Sequence, residues 1–178
     1  MVPPRVNRML MVGALLATIL LILSPTLLML AWHLRHGNAI ECTGKSIFVP
    51  FGWIAEIDSG NHASLTKIPL VIPMKSIAGI YTSISIGQSV GVKNKNIDDL
   101  YKSFQSWFWN LHSDLGEIVS GPVKLGSGPQ EVFCMAGANP RTNRSSASCL
   151  LLGGNWTADF MGTTENIPEF FVIVQKIN

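Results

Sequence analysis

Charge is scarce in this chain, and between Met9 and Trp32 it is missing altogether. Only 13% of the 178 residues are Asp, Glu, Lys or Arg, and the run MLMVGALLATILLILSPTLLMLAW holds none of them. A helix on the surface of a soluble fold keeps one polar face, so a run without such a face argues against that setting and predicts a helix lying in lipid. About 20 apolar residues, rising 1.5 Å each, cross a hydrocarbon core about 30 Å thick, whereas the apolar part of a cleaved leader needs only about 7 to 15. A small-x-small cleavage site is also missing where the run stops, since Leu28, Met29, Leu30 and Trp32 are too large for one, although Ala14 and Ala17 sit inside the run.

The expected layout follows from these absences. Residues 1–8 form a cytoplasmic segment, 9–32 a transmembrane signal anchor, 33–38 a juxtamembrane linker and 39–178 one extracytoplasmic domain. Arg5 and Arg8 mark the cytoplasmic side, and Trp32 closes the far side at headgroup level, although Arg35 weakens the charge bias. In a bacterium the domain would stand on the periplasmic side of the inner membrane. Pro25 leaves one helical carbonyl without its amide partner, which Ser24 or Thr26 can satisfy.

A basic surplus is the next absence. From Asn38 onward ten Lys and Arg stand against eleven Asp and Glu, too balanced to track a phosphate backbone. Lys93 and Lys95, set among asparagines, read as a solvated loop. No nucleic-acid partner is expected.

Metal-binding and phosphate-loop spacings are missing too. Gly126-Ser127-Gly128 reads as a hairpin connection, without the spacing of a nucleophile elbow or the Lys-Ser or Lys-Thr of a phosphate loop. None of His33, His36, His62 and His112 has the His-x-x-x-His spacing of a metal pair, and His33 and His36, three apart at the end of the apolar run, read as lying among lipid headgroups. No catalytic, cofactor-binding or metal-ligating residue is therefore assigned, and no cofactor is expected. The sequons at Asn143 and Asn155 are incidental.

Cysteine is limited to Cys42, Cys134 and Cys149. The segment EVFCMAGANPRTNRSSASCLLL reads as two strands around a polar loop from Asn139 to Arg144. Setting Cys134 opposite Cys149 also sets Ala136 opposite Ala147 and Ala138 opposite Ser145. That register permits a cross-strand disulfide, and equally two small buried thiols. Cys42 reads as a strand residue.

What is present patterns as α+β, with an antiparallel sheet packed against two helices. A hairpin covers Ala39 to Val49 with its turn at Gly44-Lys45, and a short strand runs from Trp53 to Ile57. Leu65 to Ile72, broken by Pro69, and Ile77 to Ile86 follow as strands. Asn96 caps a helix whose buried stripe is Ile97, Leu100, Tyr101, Phe104, Phe108, Leu111 and Leu115. Strands are expected over Val119 to Leu125, Glu131 to Ala136, Ser148 to Leu152 and Trp156 to Met161, the last two joined by a Gly153-Gly154-Asn155 turn. Asn166 and Glu169 stand at capping-box spacing before a final helix with Ile167, Phe170, Phe171, Val174 and Ile177 on its buried stripe.

This element order, with FVPFGW at Phe48 to Trp53 and the ending WTADFMG...IPEFF, resembles the PsbP-like fold over Ala39 to Ile177. The resemblance implies docking to a larger assembly rather than chemistry. It brings no functional residue with it, because the matching positions are packing positions. The chain also resembles bacterial membrane-anchored proteins built as one helix plus one small domain.

One side chain stands out for recognition. Trp109 falls off the helical stripe, beside Gln105 and His112 on the polar face, where a large apolar group has no obvious cover. Tryptophan is enriched at interface hot spots, so Trp109, Gln105 and His112 are read as a partner-docking patch, the alternative being that the loop Asn61 to Lys67 or another loop folds over this face. The reading is a non-enzymatic, membrane-tethered docking or envelope-complex subunit, held in the bilayer through residues 9–32. The alternative is a small-ligand binder with a pocket between the sheet and helix 97–115, and a hydrolytic enzyme comes third.

Overall fold

A computed structural model describes residues 4–58, 62–68, 82–88, 97–125, 132–151 and 156–177. Pro69, Lys93, Lys95, the Asn96 cap, the Gly126–Gly128 connection and the Gly153–Asn155 turn with its sequon lie outside the described residues.

Helix α1 runs from Pro4 to His36 and contains one stretch, Met9–His36, long and apolar enough to cross a membrane. Pro25 sits inside it, and the Ser24 hydroxyl donates to the Leu21 carbonyl at 2.8 Å. That carbonyl is the one Pro25 cannot serve, so the serine replaces the missing amide and the helix continues. The expected linker over 33–38 is largely helical as well. Gly37, in the left-handed region at φ 72°, ends α1 by donating its amide to the His33 carbonyl at 2.8 Å, the usual way a glycine closes a helix.

The chain then folds back in a hairpin of β1 (Ala39–Cys42) and β2 (Lys45–Phe48). Its two-residue turn is Thr43-Gly44, one residue earlier than expected, with positive φ at both positions. That conformation matches the twist of the flanking strands.

Among the described residues, seven further strands form one antiparallel sheet. They are β3 (Trp53–Ile57), β4 (Ala63–Lys67), β5 (Ser83–Gln88), β6 (Glu117–Leu125), β7 (Val132–Asn139), β8 (Arg144–Leu151) and β9 (Trp156–Gly162), in the spatial order β3-β4-β5-β9-β8-β7-β6. Strand alternation gives each face its own side chains. On the first face Trp53, Leu65, Ile84, Ile86, Cys134, Ala136, Ala147, Cys149, Ala158 and Phe160 form the main core. Helix α3 (Ile167–Gln175) covers it with Ile167, Phe170, Ile173 and Val174, and the hairpin adds Cys42 and Ile47. Helix α2 (Ile97–Leu111) lies on the second face, where Phe104, Phe108 and Leu115 pack on Met135 and Leu150.

β7 and β8 pair with Cys134 opposite Cys149, Ala136 opposite Ala147 and Ala138 opposite Ser145, the register read from the sequence. The two cysteines are joined as a disulfide across the pair, with Cα atoms 4.1 Å apart. Cys42 is buried and is not in a disulfide.

The edge strand β3 is closed by the end of α1. The Trp32 indole nitrogen donates to the Ala55 carbonyl at 3.1 Å, and His33 Nε2 meets the Trp53 carbonyl at 3.1 Å. Residues two apart on a strand point their carbonyls to one side, so the helix takes the acceptors that β4 does not use. At the opposite edge β6 is irregular. Its register shifts twice against β7, and Gly121 adopts φ 122° where a Cβ would come within 2.9 Å of the Met135 Cα.

The start of α3 departs from the expected capping box. Asn166 holds the N-cap position without a side-chain cap bond, in backbone geometry already near helical. Its side-chain oxygen and the Glu169 carboxylate both receive Lys67 of β4, with Nζ 2.6 Å from Asn166 Oδ1. Asn166 Nδ2 donates in turn to Thr163 and Thr82. A cation two strands away outcompetes the local amides, because a charged donor makes the stronger bond.

Candidate functional site

The second face of the sheet holds a polar row where α2 meets it. Met135, Ser148, Asp159 and Ser85 stand side by side on β7, β8, β9 and β5. Ser148 is buried and its hydroxyl donates to Asp159 Oδ1 at 2.7 Å. His112, in the turn that continues α2, lies over this row with its ring 4.8 Å from that of Phe108. Its Nε2 is buried without a hydrogen-bond partner among the described residues.

Both titratable groups are pushed toward their neutral forms. Burial raises the Asp159 carboxyl above its ordinary range, against the Ser148 bond and the nearby His112, which lower it. Burial lowers the His112 imidazole, against the carboxylates of Asp159 and Asp114, which raise it. Desolvation dominates both because the pair sits between an apolar helix face and the sheet.

A serine, an aspartate and a histidine together invite comparison with a hydrolytic triad, and the order of bonds differs from one. A nucleophilic serine gives its proton to histidine, which the carboxylate orients. Here Ser148 bonds directly to Asp159 instead, from the middle of a strand paired on both sides. The bonded pair lies within the sheet, and His112, in the turn after α2, interacts with the Asp159 charge while its Nε2 has no hydrogen-bond partner among the described residues. Among the described residues, no three of His, Cys, Asp or Glu gather as a metal site.

Replacing Asp159 with Asn tests this description. A carboxyl raised in the native state holds a proton that the unfolded chain has already released, so its contribution to stability is full at low pH and falls as pH rises through the folded value. Asp159→Asn retains an acceptor for Ser148 and has no charge to desolvate. The variant is expected to melt higher than the parent at neutral pH, with the gain disappearing as pH falls into the ordinary carboxylate range. Thermal melts across pH in mild detergent check this.

The structure brings Gln105, Trp109 and His112 to one side of α2, and that side is turned partly inward. Trp109 packs edge-on against Phe108, ring centroids 5.5 Å apart, at the border of the cluster formed by Phe104, Phe108, Leu115, Met135 and Leu150. Gln105 and His112 are half-buried. The expected stripe placed Leu111 inside and Trp109 on an open face, and here the two exchange roles. With about 100° per residue, a face centred on His112 draws in positions 105 and 109, about 20° and 60° from its middle, and turns 111 and 107 outward at about 100° and 140°. The sheet dictates that rotation, because Met135 and Leu150 receive the phenylalanines while Ser148 and Asp159 lie under the histidine. Trp107 is 40% exposed and stacks on Phe104 at 5.6 Å, and Leu111 is 56% exposed.

Sequence reasoning missed Ser148 and Asp159. The available signal was an aspartate in the middle of the alternating strand WTADF, a placement that needs a partner on the same face.

No protein-family model matches this chain, and none of the curated proteins compared with it matches either.

Proposed function

We propose that this chain is a membrane-tethered, non-enzymatic domain that stands outside the cytosol and docks a protein partner through the outer face of α2. The observation behind it is the pair Trp107 and Leu111, large apolar side chains left open on a helix whose other side is packed. Ile118, early in the strand that follows α2, is open as well. Exposed apolar clusters of this kind mark recognition sites, and tryptophan is a frequent anchor. The placement outside the cytosol is supported by Arg5 and Arg8 ahead of the apolar run and by the Cys134–Cys149 disulfide, a bond that persists in oxidising compartments. The order of hairpin, sheet, helix and closing helix supports a PsbP-like relationship, in which docking would be the expected role.

A photoreactive amino acid at position 107 in intact membranes is expected to give a discrete crosslinked adduct. The same group at Arg141, in the β7–β8 turn, is expected to give none. Equal patterns at the two positions would sink the docking reading. The desolvated His112 and Asp159 favour a second reading, a small polar ligand bound between α2 and the sheet, which a thermal-shift screen would reveal.

A further inference from the structure

The end of α1 is bonded to the domain, so the helix fixes which part of the domain faces the bilayer. Met29 is fully buried, which a helix in isolation cannot achieve, while Leu30 and Leu34 stay exposed, so the fold packs against one side of α1 from that level upward. β3 begins at Trp53 beside His33 and reaches Ala55 beside Trp32, neighbouring positions only about 1.5 Å apart along α1, so the strand crosses the helix near the end of the apolar run. Ile57 lies two residues further along β3 and is 51% exposed. In the turn just before β3, Phe51 sets its ring 5.6 Å from that of His33, level with the end of the apolar run, and is 59% exposed. An aromatic ring and an aliphatic side chain thus lie open at the depth where α1 leaves the hydrocarbon.

We propose that the domain rests on the bilayer itself, with Phe51 and Ile57 inserted into the boundary between headgroups and acyl chains. The proposal rests on the reading of α1 as a membrane anchor. The occupant is a lipid surface because both side chains continue the apolar surface of α1 outward from its end. Aromatic residues concentrate at that depth, where the ring's apolar body stays out of water. Arg35 and His36, exposed at the end of α1, suit the anionic headgroup side of the same boundary.

The test uses the full chain in phosphatidylcholine vesicles containing phosphatidylglycerol, with Cys42→Ala and one new cysteine at a time: Phe51→Cys, Ile57→Cys or Arg141→Cys. Each cysteine receives a polarity-sensitive fluorophore. Blue-shifted emission quenched by brominated lipid at 51 and 57, with neither effect at 141, is the expected result. If the chain resists carbonate extraction while 51 and 57 behave like 141, the domain stands clear of the lipid and the proposal falls, with the anchor intact. A blue shift at 51 and 57 without lipid quenching means that a second copy covers them, which also overturns it. Carbonate extraction of the chain removes the anchor reading and the proposal together.

Discussion

Trp53→Ala will destabilise the domain by about 3 to 5 kcal/mol, the range for removing a large aromatic side chain from a packed core. Trp53 is fully buried in the main cluster, and the Lys67 ammonium sits 5.6 Å from its ring centroid. Its backbone carbonyl also receives His33, so the residue joins the core to the end of α1. The loss of packing predicts a lower denaturant midpoint with little change in slope. Trp53→Phe should behave differently. The indole Nε1 is buried without a partner among the described residues, so phenylalanine removes an unsatisfied donor along with part of the ring. These opposing effects leave an expected cost below about 1.5 kcal/mol. A Phe variant as damaged as the Ala variant would show that the indole is bonded after all. Urea titrations of the two variants beside the parent, in mild detergent, decide it.

Replacing Cys134 and Cys149 together with alanine is expected to lower stability by about 3 kcal/mol, the chain-entropy value for a closed loop of this length. The disulfide spans 15 residues of sequence and ties together two interior strands whose first-face side chains between it and their turn are small: Ala136, Ala138, Ala147 and Ser145. Such residues bury little apolar area, so the covalent link adds to the register at that end, while Val132, Phe133, Met135, Leu150 and Leu151 pack elsewhere along the pair. Denaturation with and without a reductant checks the effect independently. The parent should fall to the variant's midpoint when reduced, and the variant should not respond. A parent indifferent to reductant would mean that the thiols are not joined.

The parts of this fold that were legible in the sequence were those set by local chemistry. The apolar run, the serine that serves the carbonyl orphaned by Pro25, and the Cys134–Cys149 register each depend on residues close together in the chain. The misreadings were tertiary. Helical spacing alone ranks Leu111 above Trp109 for burial, and only the row of Met135, Ser148 and Asp159 beneath α2 turns the helix the other way. Asn166 and Glu169 read as a self-contained cap until Lys67, 99 residues before Asn166, claims both. His112 gave no sign that its imidazole would be desolvated, because the carboxyl beside it comes from another strand 47 positions later.

The broken rim at β6 has a consequence where copies of the chain crowd together. Two jogs in its pairing, a backbone turned the wrong way at Gly121 and a proline at 122 with no amide hydrogen interrupt the row of donors and acceptors along that border. The other border is already occupied by the protein's own helix end. A neighbouring chain pressed against either side finds no continuous ladder to extend, so copies of the chain can stand close together without zipping into fibrils.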